Sequence, residues 1–334
     1  MWAFEPDSSE VKNKERRETA RVNGHLQEFM EYVLTTDKLT KKYGRVSAAK
    51  DIDIRIRRGE IYGLIGRNGA GKTTIMRMLS GLSTPTSGSY TLFGKVGKDV
   101  RGELHKVGVL IEAPGIYPHM NAYDNLKVKC LGLGVYTPQY VKDLLELVGL
   151  SDTGKKKAGA FSLGMRQRLG IALALAGEPE LIILDEPING LDPQGIVEVR
   201  NILARLRDER KITIMISSHI LEELGKLADS YAIINDGLLV DQFTKDDLQI
   251  KSGNNTHIVT DDNEKALKLI NASGIAEGKM DSDGRIIIEG ALDRDRDVVK
   301  FLVGKDIFVK EVVNEEFSLE DYFLRVTGGG QANG

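Results

Sequence analysis

Two stretches of the sequence carry residues whose types and spacing are suited to cleaving a phosphate anhydride. The first, Gly66-Arg67-Asn68-Gly69-Ala70-Gly71-Lys72-Thr73, matches the phosphate-loop template G-x-x-x-x-G-K-[ST] at every fixed position. Glycines there let backbone N–H groups wrap a phosphate, and the helix that follows adds its partial positive charge. Lys72 is predicted to reach the β and γ phosphates of ATP, Thr73 to ligate Mg2+, and Thr74 to bond an α-phosphate oxygen.

The second stretch follows the apolar run 181–184, which predicts a parallel strand buried on both faces. Asp185 and Glu186 end this run, at the sheet edge where ligands bind in such folds. Asp185 is predicted to hold Mg2+, and Glu186 to polarise the water that attacks the γ-phosphate. Another buried run, 212–216, leads to His219, which is predicted to hydrogen-bond the γ-phosphate. Alone, such an acidic pair or histidine is usually structural, but their order after a phosphate loop favours the catalytic reading.

The elements that must position these residues follow from the hydrophobic pattern. The apolar run 61–65 predicts the strand before the phosphate loop, and Ile75, Met78, Leu79 and Leu82 recur at the spacing of a buried helix face. Alternating stretches around 52–56 and 89–93 predict a small antiparallel sheet beside the site. Residues 113–176 are predicted to be mainly helical.

A third motif, Phe161-Ser162-Leu163-Gly164-Met165-Arg166-Gln167-Arg168, lies between the phosphate loop and the acidic pair. In this order the motifs resemble those of the ATP-binding-cassette (ABC) ATPases, over about Tyr32 to Gln242. The resemblance implies an α/β fold: an ABC-type P-loop NTPase with a mixed central sheet flanked by helices, an antiparallel β subdomain and a helical signature subdomain. The signature is usually Leu-Ser-Gly-Gly-Gln, so Leu163 makes the match partial. Tyr43 matches the aromatic that stacks on adenine, although an isolated Tyr is a core or turn residue about as often.

The family resemblance also implies an ATP-dependent head-to-tail homodimer, because the chain has one phosphate loop and one signature. Ser162 and the Gly164 amide are expected to open a helix over Gln167 to Ala176, whose N-terminus is an anion site. Ser162 of one copy would then contact the γ-phosphate held by Lys72 of the other. Asp192, in the loop after the acidic pair, is expected to cross the dimer interface.

One position departs from the family's usual pattern. ABC ATPases normally carry a Gln that touches Mg2+ and the attacking water where the strand 108–111 ends, and here that residue is Glu112. A Glu there, with the run from Ile111 to Leu126, resembles the ATPases of bacitracin-resistance and lantibiotic self-protection exporters. Glu112 is therefore expected to ligate Mg2+ and to belong to the catalytic set. A carboxylate ligates Mg2+ more strongly than an amide does, but it has no hydrogen to donate. The alternative is a tolerated substitution with no bearing on the substrate.

Composition limits the remaining choices. The formal net charge of −3 and the absence of a basic patch argue against nucleic acid as a partner, and the single Cys130 suits a reducing cytosol. No apolar run approaches the ~18 residues of a membrane span. If the protein works on a membrane, a separate permease must cross it, and the chain is expected to be cytoplasmic and peripheral on the inner face.

The length of 334 residues favours two domains. Residues 1–30 are predicted to be a disordered extension, with Met30 the expected native start. Residues 31–242 form the predicted ABC ATPase domain. Residues 250–326 are predicted to form a small α+β domain, ferredoxin-like, with a dimerising or regulatory role, and 327–334 a flexible tail.

The sequence therefore predicts an ATPase subunit that powers a separate permease, in export of, or self-protection against, bacitracin- or lantibiotic-type antimicrobial peptides. One alternative is an exporter ATPase for another cargo, such as a drug, lipid or polysaccharide. A second is a soluble ABC protein acting on DNA or ribosomes, although those usually join two cassettes in one chain. A third is a non-transporting sensing module, which a permease with a large extracellular domain beside a sensor kinase would indicate.

Overall fold

The computed structural model describes residues 31–252, 255–281, 283–289, 295–315 and 318–328. The backbone divides into two compact units, the first made of 31–220 with 227–242, the second of 221–226 with the chain from 243 onward. In the described ranges, no helix is long and apolar enough to cross a bilayer.

The two ends of the chain are predicted from the sequence to be a disordered extension and a flexible tail. The expected extension over 1–30 lies outside the described residues, as do residues 329–334 of the expected tail. Both expectations stay predictions.

The first eleven strands follow in chain order: β1 (Tyr32–Tyr43), β2 (Val46–Ile52), β3 (Arg55–Arg57), β4 (Ile61–Ile65), β5 (Ser87–Leu92), β6 (Lys95–Val96), β7 (Val107–Leu110), β8 (Leu181–Asp185), β9 (Thr213–Ser218), β10 (Ser230–Asn235) and β11 (Leu238–Thr244). The helices among them are α1 (Lys72–Leu79), α2 (Val100–Glu103), α3 (Ala122–Leu133), α4 (Pro138–Leu147), α5 (Leu163–Leu175), α6 (Pro193–Arg210) and α7 (Leu221–Leu227).

A six-stranded sheet in the order β11-β10-β4-β9-β8-β7 forms the centre of the first unit. Its strands β10, β4, β9, β8 and β7 run parallel, and β4, β8 and β9 are buried along their whole length. Burial on both faces explains why these strands are continuous apolar runs. The register pairs Leu64 and Asp185 with Ser217, so the carboxyl ends of three strands meet at one edge. The phosphate loop, the acidic pair and His219 all leave the sheet there.

A smaller antiparallel sheet and a helical segment complete this unit, as expected from the sequence. The sheet has the order β2-β1-β5-β6, with β3 also paired to β1. Helices α3, α4 and α5 fall within 113–176. Two details differ from the prediction. Leu82 is 66% exposed rather than buried, because α1 already ends at Leu79. Helix α5 begins at Leu163, four residues before the expected Gln167, because the Ser162 side chain caps it.

The second unit is a small α+β structure around a four-stranded antiparallel sheet. Its elements in chain order are α8 (Lys245–Ser252), β12 (Asn255–Thr260), α9 (Asn263–Ser273), β13 (Gly278–Met280), β14 (Ile286–Glu289), α10 (Asp295–Val303), β15 (Val309–Glu315) and α11 (Leu319–Val326). The strand order β13-β14-β12-β15, with helices after β12 and β14, is the ferredoxin-like β-α-β-β-α-β arrangement. Ser318 and Asp321 form a reciprocal capping box at the start of α11.

Candidate active site

The phosphate loop joins β4 to α1 and has the backbone conformation that its glycines permit. Gly69 and Gly71 have φ angles of +84° and +107°, a region that side chains disfavour. A Cβ on Gly71 would lie 2.3 Å from the Ala48 carbonyl oxygen, and one on Gly66 would lie 2.5 Å from that of Ile234. Residues 67–69 at the tip are exposed. The loop is thus a cradle open on the side where phosphates would bind.

Main-chain contacts hold this loop in place. Gly237, in the turn between β10 and β11, donates its N–H to the Ala70 carbonyl at 3.0 Å. The Gly237 carbonyl in turn accepts from Lys50 N in β2 at 2.8 Å. Because the Ala48 carbonyl also lies against both Gly71 and Gly237, two separate segments of backbone, β2 and the β10–β11 turn, enclose the loop.

Lys72 is the buried cation of the site. Its side chain is 5% exposed, and its ammonium group donates to the Gly66 and Arg67 carbonyls at 2.7 and 3.3 Å. The same Nζ lies 3.3 Å from Oε1 of Glu186, as an ion pair without hydrogen-bond geometry. The predicted phosphate ligand and the predicted general base are therefore neighbours.

Asp185 is buried and held by two hydroxyl groups. Thr73 donates to its Oδ2 at 2.8 Å, and Ser217 donates to its Oδ1 at 2.6 Å. Ser217 Oγ also accepts from Glu186 N at 2.9 Å, so one hydroxyl ties β9 to both members of the acidic pair. The Thr73 and Asp185 oxygens are hard donors of the kind Mg2+ takes when it keeps waters and phosphate oxygens as its other ligands. They fit this ion, although no group of three or more His, Cys, Asp or Glu suited to a metal occurs among the described residues.

Glu186 lies between two cationic or potentially cationic side chains. Its Oε2 is 2.7 Å from Nδ1 of His219, and its Oε1 faces Lys72. Its backbone is in the left-handed region, with φ at +50°, directly after the last residue of β8. A carboxylate fixed from both sides is suited to orienting a water molecule.

Glu112 lies apart from this cluster in the described structure. It follows β7 with a φ of +65°, its side chain is 63% exposed, and its Oε1 accepts from Nη2 of Arg77 in the last turn of α1. Its assignment as a Mg2+ ligand and catalytic residue stays a prediction.

The remaining predicted residues occupy helix starts or exposed positions. Ser162 Oγ accepts from Met165 N at 3.2 Å and caps α5, and Asp192 Oδ1 accepts from Gly195 N at 3.1 Å and caps α6. A Cβ on Gly164 would lie 3.9 Å from the Leu191 side chain, so the signature packs beside the loop that carries Asp192. Tyr43 is 50% exposed at the end of β1, with Lys41 Nζ 5.2 Å from its ring centre. Thr74 is half-buried in the first turn of α1.

The structure therefore brings five predicted residues together: Lys72, Thr73, Asp185, Glu186 and His219. Sequence reasoning did not assign roles to Ser217 or Arg77. The signal for Ser217 was its place in the strand end before His219. The signal for Arg77 was its spacing of four residues from Thr73, which puts both on one helix face.

Comparison with known proteins agrees with this geometry. The ABC transporter family model matches residues 49–189, from β2 to just past the acidic pair. The chain is 41% identical over 303 residues to the bacitracin transport ATP-binding protein BcrA of Bacillus licheniformis, covering 90% of this chain and 99% of that protein. The chain belongs to the ABC transporter ATP-binding proteins. It is an ABC ATPase subunit, as the sequence motifs predicted.

Two further similarities define how far the likeness extends along this ABC ATPase. The lantibiotic transport ATP-binding protein SrtF of Streptococcus pyogenes is 46% identical over 208 residues, covering 62% of this chain and 89% of that protein. A solved dimeric ATP-binding cassette, in a post-hydrolysis state bound to ADP and Pi, matches with a TM-score of 0.57 at 21% identity, over 64% of this chain and 98% of its own. This confirms the predicted ABC-type fold of the ATPase unit.

Proposed function

We propose that this ABC ATPase hydrolyses Mg2+-ATP at the cluster around Glu186 and powers a separate membrane permease. The observation that carries the assignment is the placement of Glu186 between Lys72 and His219, at 3.3 and 2.7 Å. Glu186 accepts a proton from a water molecule, whose oxygen attacks the γ-phosphorus as the bond to the bridging oxygen breaks. Lys72 and the loop amides hold the β and γ phosphates, and His219 holds Glu186 and reaches the γ-phosphate.

Thr73 and Asp185 are the residues that would hold Mg2+ at this site, with Glu112 as a further predicted ligand. The bound ion would neutralise charge that develops on the phosphate oxygens. Ser217 fixes the Asp185 carboxylate by the hydrogen bond to its Oδ1. Tyr43 is the residue proposed to stack on adenine, and its position at the end of β1 with half of its surface open to solvent supports this role.

The functional unit proposed is a head-to-tail homodimer formed on ATP. Ser162 and Asp192 support it, because both are exposed at the starts of long helices, where free N–H groups attract anions. In the proposed dimer the signature of one copy completes the phosphate site of the other.

A groove in the ATPase unit is the proposed docking site for the permease. It has a volume of about 640 Å³ and is lined by the end of β7, the loop after it, and α3 and α5. Leu82, Tyr117 and Val128 line it and are 66%, 49% and 40% exposed, so an apolar helix of a partner would bury them. The permease would place this chain peripherally on the cytoplasmic face of the membrane.

The proposed cargo is a bacitracin-type peptide antibiotic, and the transport is export for self-protection. The extent of the similarities favours this cargo over a lantibiotic. The match to the bacitracin protein is too long to fit in the ATPase unit and reaches into the second unit, whereas the match to the lantibiotic protein has the length of the ATPase unit alone. The second unit is thus proposed to serve a task shared with the bacitracin protein, in dimerisation or regulation.

The cargo proposal is tested in a sensitive bacterial host that expresses the chain with the permease that co-purifies with it. Wild type should raise the bacitracin concentration needed to stop growth, and Glu186→Gln at equal expression should not. Tolerance to a lantibiotic but not bacitracin would reverse the cargo assignment. Unchanged tolerance to both peptides, with permease-stimulated ATPase activity intact, would point to another cargo, and recovery of ribosomes or DNA instead of a permease would refute the transporter role.

The chemical assignment is tested on the purified protein. Glu186→Gln should bind ATP as wild type does, hydrolyse it about 100-fold more slowly or worse, and accumulate as a dimer visible by light scattering. Lys72→Ala should instead weaken nucleotide binding itself. Normal turnover in Glu186→Gln would remove Glu186 as the base.

A further inference from the structure

The ion pair between Arg77 and Glu112 is a feature of the site that the proposed chemistry does not use. Nη2 of Arg77 donates to Oε1 of Glu112, and the two side chains are 37% and 63% exposed. The guanidinium group also lies in the last turn of α1, where the helix dipole favours a positive charge. Arg77 is therefore favourably placed to bind the carboxylate that follows β7.

Arg77 lies close in the sequence to one of the predicted Mg2+ ligands, which links the Arg77–Glu112 ion pair to the metal site. Arg77 follows Thr73 by four residues, so both side chains lie on the same face of α1, about one helical turn or ~6 Å apart along the axis. Thr73 is bound to Asp185 at 2.8 Å. The residue that holds the Glu112 carboxylate is thus one turn further along α1 than Thr73, which is bonded to Asp185.

The sheet register places Glu112 at the same sheet edge as the predicted metal ligands. Strand β7 pairs in parallel with β8, with Leu110 opposite Leu184, so the chain reaches Glu112 at the level where β8 delivers Glu186. Glu112 then turns through a left-handed backbone conformation. A change at this single residue could carry the exposed carboxylate from Arg77 toward the metal ligands.

The other carboxylates at this edge already have partners of their own. Asp185 is bound by Thr73 and Ser217, and Glu186 by His219 with Lys72 nearby. Glu112 is paired with Arg77, so any cation that recruits it has to compete with a guanidinium. A Gln would not face the same competition, because a neutral amide binds Arg less strongly than a carboxylate does.

We propose that Arg77 is a positioning residue that holds the Glu112 carboxylate one helical turn away from Thr73 and Asp185, and so sets the Mg2+ concentration that the site requires. The proposal rests on the proposed Mg2+-ATP site. If Glu112 were to leave Arg77 and ligate Mg2+ when nucleotide binds, breaking this ion pair would be part of the free-energy cost of assembling the site.

The test titrates Mg2+ at saturating nucleotide in two ways. The first readout is the Mg2+ concentration for half-maximal ATP hydrolysis. The second is independent of turnover, and is the Mg2+ concentration that gives half of the rise in unfolding temperature with a non-hydrolysable ATP analogue. Arg77→Gln should lower both concentrations about two- to fivefold, the range of an exposed ion pair. Arg77→Lys, which keeps the charge, should stay nearer to wild type.

A double-mutant cycle isolates the role of Glu112. In a Glu112→Gln background, Arg77→Gln should shift the Mg2+ requirement by less than about 1.5-fold, because no carboxylate remains to be held. Arg101→Gln removes the same charge from an exposed position of α2 and is the matched control, expected to change neither readout.

Either of two results would overturn the proposal: an unchanged Mg2+ requirement in Arg77→Gln, or an equal shift in the Glu112→Gln background. Both leave the Mg2+-dependent hydrolysis of wild type in place. Failure of the proposed function would look different, because wild type itself would then show no hydrolysis that depends on Mg2+.

Discussion

The two left-handed glycines of the phosphate loop allow a matched prediction, in which Gly71→Ala damages the protein much more than Gly69→Ala. Both residues have positive φ angles, +107° for Gly71 and +84° for Gly69. A Cβ on Gly69 meets nothing within 4 Å, whereas a Cβ on Gly71 lies 2.3 Å from the Ala48 carbonyl oxygen. The two substitutions thus share a backbone cost, and only Gly71→Ala adds a collision with main chain.

The magnitudes follow from these contacts. An alanine in a left-handed conformation costs about 1–2 kcal/mol, which is the expected loss in unfolding free energy for Gly69→Ala. The collision at Gly71 requires the backbone of β2 to move, which adds about 1–3 kcal/mol as in other overpacked sites. Gly71→Ala should therefore lose about 2–5 kcal/mol, a large part of the total stability of a typical domain.

Urea unfolding of the two variants and wild type provides the measurement, with ATP affinity by calorimetry as the second readout. Gly71→Ala should also bind ATP far more weakly, because the shifted β2 no longer supports the loop. Equal losses for the two variants would mean that the Ala48 contact is easily relieved, and would refute the role assigned to β2 as a wall of the loop.

Three further predictions concern single side chains. His219→Ala should lower kcat about 10- to 100-fold with less effect on ATP affinity, because Glu186 loses the partner at 2.7 Å that orients it; equal kcat would show that Lys72 suffices. Asp192→Ala should lower the unfolding free energy by about 1 kcal/mol through loss of the α6 cap, whereas Asp192→Asn should keep the cap. If both variants lose ATP-dependent dimerisation, the carboxylate itself belongs to the interface. Burial raises the pKa of Glu60, so the stability that this group contributes below about pH 4.5 is lost as pH rises through the raised pKa. Glu60→Gln should therefore flatten the fall of the urea midpoint with rising pH, and an unchanged dependence of the midpoint on pH would contradict this prediction.

The sequence predicted the residues that a contiguous motif or a strand end defines. The phosphate loop is one unbroken segment, and the strands that carry Asp185, Glu186 and His219 end at one edge because parallel strands share direction. These residues could be placed together before any coordinates were known, since the topology of a doubly wound sheet requires it.

Features that depend on where a helix or strand ends, or on contacts between such elements, could not be predicted from the sequence. Leu82 continues the helical spacing, but α1 stops at Leu79 and Gly81 turns the chain with a φ of +75°. The pair of Arg77 with Glu112 depends on the register of β7 and on the backbone turn after it, and neither leaves a local pattern. The Ser217 bridge likewise depends on the alignment of β8 with β9.

The enclosure of the phosphate loop by main chain has a consequence for how this protein can vary. Ala48, Lys50 and Gly237 surround the loop with main-chain carbonyl and amide groups rather than with side chains. Exposed side chains of β2, such as those of Val46 and Lys50, are accordingly free to vary without altering the loop, whereas Gly237 is restricted by its φ of +77° and by the Ala48 carbonyl beside it. An insertion or deletion of one residue in either segment would move those groups by a full step along the strand, so the loop constrains the length of its surroundings more than their composition.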